Sequence, residues 1–384
     1  MKRLTILGAT GSIGTSTLNI VRNCPDAFSV YCLTAHSNTS VLISLAKEFL
    51  PEVVVVSDAS HAADVKAALA ELPIDVHEGA DALDAAAAIS VDIVVAGIVG
   101  FAGVAPMVSA VKAGQTIALA NKESLVAAGH IIMPLVAAHG AVLLPIDSEH
   151  SAIFQCLTSK NTSEISSITL TASGGTFRDL KPADMLNVTV EQALSHPNWD
   201  MGPKVTIDSA SLMNKGLELI EAAWLFDLPK SQINAVIHPQ SVVHGLVSYI
   251  DGSTIAQMGA ADMRVPISFA LGYPERLDWG AESLNLEELA NLTFRPIDSE
   301  QFPAFMLARD TIGEAPAKAI ALNAANEIAV NAFLTGKIPF VAIPKLVSEV
   351  LNADITGGEG SLEAVIALDL EVRRHAQEML DIQF

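Results

Sequence analysis

Apolar runs of strand length alternate with apolar residues at helical spacing along the first part of the chain. Lys2 to Leu7 reads as a short strand. The turn Gly8-Ala9-Thr10-Gly11-Ser12-Ile13-Gly14 follows it and leads into a helix over about 15–22. Further strands are expected at 28–35, 53–56, 93–96, 116–120 and 141–146, because parallel strands covered on both faces read as continuous apolar runs. Helical patterns lie between them, at 41–49, 59–72, 82–89, 104–113 and 124–138. Alternation of this kind predicts an α/β fold with a Rossmann-like, doubly wound parallel sheet, whose ligands bind at the carboxyl ends of the strands. After Ser151 the pattern changes. Segments 165–172, 204–207, 235–237, 242–249 and 254–258 read as strands, with Asp251-Gly252-Ser253 as a hairpin turn. A helix is expected over 211–226, capped by Asp208 or Ser209. The middle of the chain is therefore expected to be α+β. Positions 273–301 hold several prolines and no clear period, and read as a linker. Helices at 317–334 and 362–380 predict a helical C-terminal domain. The expected division is 1–147, 148–272, 273–301 and 302–384.

Composition first raises a membrane question. Hydrophobic residues make up 51% of the 384 and charged residues 17%, and mean hydropathy is +0.42. The stretches 93–111 and 126–146 are long enough to span a bilayer. However, Gly97, Gly100, Gly103 and Pro106 interrupt the first, and Gly129, His130, Pro134, His139 and Gly140 the second. Both read as strand and helix pieces of a soluble fold. The formal charge of −21 opposes nucleic acid and anionic membranes as partners. It leaves room for a phosphorylated substrate, which needs only a local basic and amide-rich pocket. Cys24, Cys32 and Cys156 have no metal or redox spacing. Met1-Lys2-Arg3 runs straight into a strand without a signal-peptide pattern, so the expected location is the cytoplasm.

The candidate chemistry gathers at strand ends. In strand, glycine turn, helix, Gly8 permits the tight turn, Gly11 lets a pyrophosphate approach, and Gly14 lets the helix pack on the strand. The amides of Thr10, Gly11, Ser12 and Ile13 then face the phosphates of a dinucleotide. At the end of the second strand, where NAD-binding chains carry a carboxylate, stand His36, Ser37 and Asn38; this favours NADP. Asn121-Lys122-Glu123 and Asp147-Ser148-Glu149 follow two later strands. On an extended strand end Asp147 and Glu149 would point the same way and offer oxygens to a hard cation such as Mg²⁺ or Mn²⁺. A solvated loop is the simpler alternative, and a third ligand is needed. Glu218 supplies one from the 211–226 helix, with Asn214 and Lys215 on the same face. Lys215, Asn214 and Ser209 would then form a phosphate pocket beside it. The plainer alternative is a surface Lys215–Glu218 salt bridge. Ser173-Gly174-Gly175 offers a hydroxyl and amides to a phosphate. His196-Pro197-Asn198-Trp199-Asp200-Met201-Gly202-Pro203, with exposed Trp199 and Met201, reads as a structured loop able to fold over a ligand.

Taken with Leu144-Pro145-Ile146 ahead of Asp147, Ala120 and Ser124, Met213-Asn214-Lys215-Gly216-Leu217-Glu218, His238-Pro239-Gln240-Ser241 and Leu322-Asn323-Ala324-Ala325-Asn326-Glu327, these motifs resemble the 1-deoxy-D-xylulose 5-phosphate reductoisomerase family in order along the whole chain. The resemblance implies NADPH- and divalent-metal-dependent conversion of 1-deoxy-D-xylulose 5-phosphate to 2-C-methyl-D-erythritol 4-phosphate, a step of non-mevalonate isoprenoid synthesis. It implies a homodimer whose chains have an NADPH domain, a catalytic domain and a helical C-terminal domain. By similarity, Asp147, Glu149 and Glu218 would bind Mg²⁺, Mn²⁺ or Co²⁺. Lys122, Ser148, Glu149, Ser173, His196, Ser209, Asn214, Lys215 and Glu218 would hold the substrate, and Trp199 would lie on the closing loop. Lys122 and the three carboxylates would be catalytic. Gly8, Thr10 to Ile13, His36, Ser37, Asn38, Asn121, Glu123 and Gly202 would hold NADPH.

Two departures stand out. Many members carry Gly-Lys-Asn where this chain has His36-Ser37-Asn38, which weakens the expected hold on the NADP 2′-phosphate. Many carry proline where Ala261 precedes Asp262-Met263. The residues do not separate a retro-aldol/aldol rearrangement from a direct 1,2-shift. The alternatives are a two-domain NAD(P)-dependent oxidoreductase without isomerisation, which needs no metal, and a non-catalytic nucleotide sensor.

Overall fold

The computed structural model describes residues 1–158, 161–199 and 201–383. Its strands are β1 Lys2–Leu7, β2 Phe28–Ala35, β3 Val53–Val56, β4 Asp75–Glu78, β5 Ile93–Ala96, β6 Thr116–Leu119, β7 Val142–Pro145, β8 Ile165–Ala172, β9 Ile233–Ile237, β10 Val243–Tyr249 and β11 Thr254–Met258. Helices α1 Ser12–Asn23, α2 Thr39–Phe49, α3 Ala62–Leu69, α4 Ala80–Ala88, α5 Val104–Lys112 and α6 Lys122–His139 alternate with the first seven strands. They are followed by α7 Ser148–Cys156, α8 Val190–Leu194, α9 Pro203–Ala210, α10 Met213–Phe226 and α11 Arg264–Gly272. The last are α12 Leu286–Leu289, α13 Pro303–Asp310, α14 Pro316–Leu334, α15 Ala342–Asn352 and α16 Leu362–Gln383. The chain falls into two compact units.

The first unit comprises Met1–Ser124, Ile132–Ser148 and Met263–Glu282. It holds a seven-stranded sheet in the order β4-β3-β2-β1-β5-β6-β7, with every described pair parallel. This is the expected doubly wound sheet. Every residue of β3 and β5 is buried, as continuous apolar runs require. The first four residues of the first suspected membrane stretch are β5; Gly97, Gly100 and Gly103 lie in the loop and short 3-10 turn before α5, which takes up the rest. No helix among the described residues is long and apolar enough to cross a membrane. Strand β4 was not expected: its sequence, Asp-Val-His-Glu, lies at the sheet edge and is largely exposed, so it carries no apolar run.

The second unit comprises Leu125–Ile131, Glu149–Asp262 and Ser283–Phe384. Its four-stranded sheet runs β11-β10-β8-β9, with β8 and β9 parallel and the other pairs antiparallel. Arg295 exchanges backbone hydrogen bonds with Ile237 at the end of β9. Helices and loops make up the rest, and α14 and α15 bury their apolar faces. The expected strand at 204–207 is instead the helix α9. Gly202 stands at its N-cap and Pro203 at its first position, where the missing amide hydrogen and fixed φ suit a helix start. Asp208 and Ser209 therefore end α9 rather than cap the next helix. Helix α10 begins two residues later than expected, after Leu212, whose φ of 56° breaks the chain between them.

Candidate active site

In the first unit the glycine turn has the form its sequence predicts. Gly8 has φ 78°, and its carbonyl accepts the Gly11 amide at 3.1 Å. A Cβ on Gly14 would stand 2.5 Å from Ala9 Cα and from the Ala9 and Gly8 oxygens, so only glycine lets α1 lie this close to the turn. Helix α1 starts at Ser12, earlier than expected, which places Thr10, Gly11 and Ser12 at a solvent-accessible helix N-terminus. Such an end favours phosphate. His36, Ser37 and Asn38 are exposed after β2; the His36 Nδ1 lies 3.0 Å from Ser57 Oγ, and Asn38 caps α2.

Asn121, Lys122 and Glu123 are all buried. The Asn121 side chain donates to the carbonyls of Ile98 and Gly100, at 2.7 and 2.9 Å, and to Glu123. It accepts the Ser124 amide at 3.0 Å, capping α6. Asn121 thus ties the loop after β5 to the start of α6. Lys122 pairs with the Asp147 carboxylate, which stands past the end of β7. Ser148 follows and is buried. It opens α7, so Glu149 stands in the first turn of a helix and not on an extended strand end. Asp147 and Glu149 therefore do not share an extended strand end, contrary to the expectation from the sequence. A carboxylate in a first helical turn is favoured by the helix dipole.

In the second unit Glu149 and Glu218 converge on one cation. Lys215 Nζ is 2.7 Å from Glu149 Oε1 and also pairs with the Glu218 carboxylate. Lys215 and Glu218 are 3% and 1% exposed, so this is a buried ion cluster and not the surface salt bridge weighed above. Burial works against the Lys215 charge; the two carboxylates outweigh it and raise its pKa above the ordinary lysine value. Asn214 donates its amide to Glu218. Two carboxylates facing one ammonium leave net negative charge in a site of hard oxygen donors, which fits a divalent cation of the Mg²⁺ type. Gly216 makes this helix face possible elsewhere on α10: a Cβ there would collide with Ala308 of α13.

Behind these carboxylates sits a second buried pair. His150 and Glu221 are almost fully buried, with His150 Nδ1 3.1 Å from Glu221 Oε2. His150 Nε2 lies 2.8 Å from the Glu218 carbonyl, which can only accept, so Nε2 carries the proton. Glu221 was missed, although its position three residues after Glu218 on α10 was readable.

The phosphate-pocket candidates lie close in chain and in structure. Ser173 directly follows β8, and Gly174 and Gly175 have φ 86° and 68°. A Cβ on Gly175 would collide with the Ser209 carbonyl, so the turn packs directly on the end of α9. Ser209 is buried and Asn214 half-buried. His196 organises the loop after α8. Its Nδ1 accepts the amides of Asn198 and Trp199, at 3.2 and 2.9 Å, and its Nε2–H therefore points at Ser173 Oγ, 3.0 Å away. Asn198, which the sequence did not single out, donates to the Pro239 carbonyl and to Ser241 Oγ, both at 2.9 Å. Trp199 and Met201 are half-buried, not exposed as expected; the Trp199 ring centre lies 6.1 Å from that of His244. Gly202 is exposed at the start of α9, and Asp200 lies outside the described residues.

Burial, with a smaller push from Arg178, lowers the His196 pKa from 6.5 to about 4. The folded form thus binds its proton less readily than the unfolded chain. His196 contributes stability that is complete above pH 6.5 and is lost as pH falls towards about 4. In an NMR titration the His196 ring is expected to remain neutral until about pH 4, and the 196–199 turn to open with it; a midpoint near 6.5 would contradict the arrangement.

Three segments match domains described as 1-deoxy-D-xylulose 5-phosphate reductoisomerase (residues 4–129), its C-terminal domain (143–226) and the DXP reductoisomerase C-terminal domain (258–375). The chain is 51% identical over 384 residues to the 1-deoxy-D-xylulose 5-phosphate reductoisomerase of Burkholderia lata, covering 99% of this chain and 96% of that one. To that of Laribacter hongkongensis it is 48% identical over 381 residues, covering 98% of each. Among solved structures it is similar to the Zymomonas mobilis reductoisomerase in complex with NADPH, with a TM-score of 0.93, 45% identity and 99% of each chain covered. It is also similar to a DOX-P reductoisomerase in complex with NADPH, fosmidomycin and magnesium, with a TM-score of 0.96, 44% identity, and 100% of this chain and 99% of that one covered.

Proposed function

This chain belongs to the 1-deoxy-D-xylulose 5-phosphate reductoisomerase family, and we propose that it converts 1-deoxy-D-xylulose 5-phosphate to 2-C-methyl-D-erythritol 4-phosphate with NADPH and a divalent cation. The observation that carries this reading is the buried convergence of Glu149 and Glu218 on Lys215, with Asn214 alongside. Glu149 and Glu218, joined by Asp147 from the end of β7, would hold Mg²⁺, Mn²⁺ or Co²⁺. When bound, the cation supplies Lewis acidity at the substrate's carbonyl and adjacent hydroxyl, and NADPH supplies the hydride.

The chain's own residues do the rest. Lys122 orients the Asp147 carboxylate and, with Ser148, meets the sugar end of the substrate. His150 and Glu221 hold the Glu218 backbone in place through the Nε2 hydrogen bond. Ser173, Ser209, Asn214, Lys215 and His196 take the phosphate, with His196 donating from Nε2 and not as a cation. The 196–202 loop, seated through Asn198, carries Trp199 over the substrate and limits water. The amides of Thr10 to Ile13, with Gly8 shaping their turn, take the NADPH pyrophosphate. His36, Ser37 and Asn38 lie by its ribose, and Asn121, Glu123 and Gly202 line the rest of its site. The same reading has a homodimer in the cytoplasm, with divisions at 1–147, 148–272, 273–301 and 302–384 for the NADPH, catalytic, linker and helical segments.

Carbon-13 NMR of the product decides between this reading and a plain oxidoreductase. A branched skeleton from labelled 1-deoxy-D-xylulose 5-phosphate is expected. A reduced but unbranched sugar phosphate would overturn the isomerising step.

A further inference from the structure

The last turn of α9 ends on a fully buried carboxylate. Asp208 is 1% exposed and sits where the helix C-terminus is negative, an unfavourable place for an anion. Lys204 and Asn326 help to hold it there. Lys204 Nζ, one turn earlier on α9, lies 2.9 Å from Oδ2. Asn326 Nδ2, from the middle of α14, donates to Oδ1 at 2.8 Å. Asn326 is fully buried on α14, and its own Oδ1 accepts no hydrogen bond among the described residues. Burying a half-satisfied amide is unfavourable. An alanine at this position would avoid that cost and suit the helix better.

The residue after Asp208 is Ser209. Its carbonyl packs against Gly175 so closely that no Cβ fits between them. The Ser209 backbone is thus gripped on one side by the turn that carries Ser173. On the other, Asp208 is gripped by α14. We propose that Asn326 is a positioning residue for substrate phosphate: acting through Asp208, it sets the last turn of α9 so that the Ser209 hydroxyl meets the phosphate beside Ser173. This rests on the reading of Ser209 as a phosphate ligand.

Asn326→Leu removes the amide and keeps most of the volume. It is expected to raise KM for 1-deoxy-D-xylulose 5-phosphate about tenfold, with kcat within about threefold of wild type. The inhibition constant of inorganic phosphate is expected to weaken by a similar factor, with KM for NADPH unchanged. In a Ser209→Ala background the same substitution should add less than about twofold, because both act through one hydroxyl. A merely structural role would lower the melting temperature and the active fraction without moving KM. A folded Asn326→Leu protein with unchanged KM and phosphate inhibition overturns the proposal, as does a full multiplicative effect on top of Ser209→Ala. Lys204→Met, on the partly exposed first turn of α9, removes the ammonium contact to Oδ2 and carries the same readouts should Asn326→Leu fail to fold. Ser209→Ala alone separates the two layers. If it leaves KM and phosphate inhibition unchanged, the phosphate reading of Ser209 falls and the positioning role falls with it. If it weakens both while Asn326→Leu and Lys204→Met do not, only the positioning role falls.

Discussion

Glu218→Gln is expected to lower kcat by at least about a thousandfold while NADPH affinity stays within about twofold of wild type. Glutamine keeps the shape of the side chain and its contact with Asn214, so the fold around α10 is not disturbed. What it removes is the buried one of two negative charges facing Lys215; Glu149 is half-buried. Without that charge the site no longer has an excess of carboxylates over ammonium, and a divalent cation loses both a ligand and the electrostatic reason to bind. The glycine turn that would take NADPH belongs to the other compact unit and shares no residue with this cluster. Steady-state rates and an NADPH fluorescence titration on the same preparation check both halves. A wild-type rate would return Glu218 to a structural role and remove the cation site.

Lys215→Met is expected to move two affinities in opposite directions. KM for 1-deoxy-D-xylulose 5-phosphate should rise about a hundredfold, because a buried ammonium at a phosphate is worth more than one in water. The concentration of Mg²⁺ needed for half-maximal rate should fall, because the cation no longer competes with an ammonium for Glu149 and Glu218. Without metal the protein should also be less stable, since breaking a buried ion pair on one side costs about 3–5 kcal/mol. Added Mg²⁺ should recover much of the lost melting temperature, as a ligand that binds only the folded form must. A purely structural ion pair predicts the stability loss with no change in substrate KM, and that result would take Lys215 out of the phosphate pocket.

How much of this was legible beforehand follows physical lines. The parallel sheet was readable because its strands are buried on both faces and leave unbroken apolar runs, such as Val53–Val56. β4 was not, since an exposed edge strand needs no apolar residues. The strand read into 204–207 came from the alternation of Lys204, Val205, Thr206 and Ile207; the Gly202-Pro203 start signal was the stronger cue and was passed over. Glu218 was legible as a candidate ligand from residue type and helical spacing, and Glu149 from residue type beside Asp147, though on strand geometry the structure does not show. That Glu149 belongs to a helix was less so, because Ser148 can end a strand or begin a helix equally well. The seating of Asn198 depends on contacts some 40 residues apart in the chain, to Pro239 and Ser241, and the aim of His196 at Ser173 spans 23 positions. No local pattern encodes them. Asn326 was visible only as part of a family motif; its bond to Asp208 spans 118 positions.

The central claim is that carboxylates at these positions bind a divalent cation that the reaction requires. The most direct test follows NADPH absorbance with 1-deoxy-D-xylulose 5-phosphate present, first with Mg²⁺, then with excess chelator, then with Mg²⁺ restored. The predicted result is oxidation with Mg²⁺, its loss on chelation and its return on restoration. Oxidation that persists in the fully chelated enzyme would contradict the account.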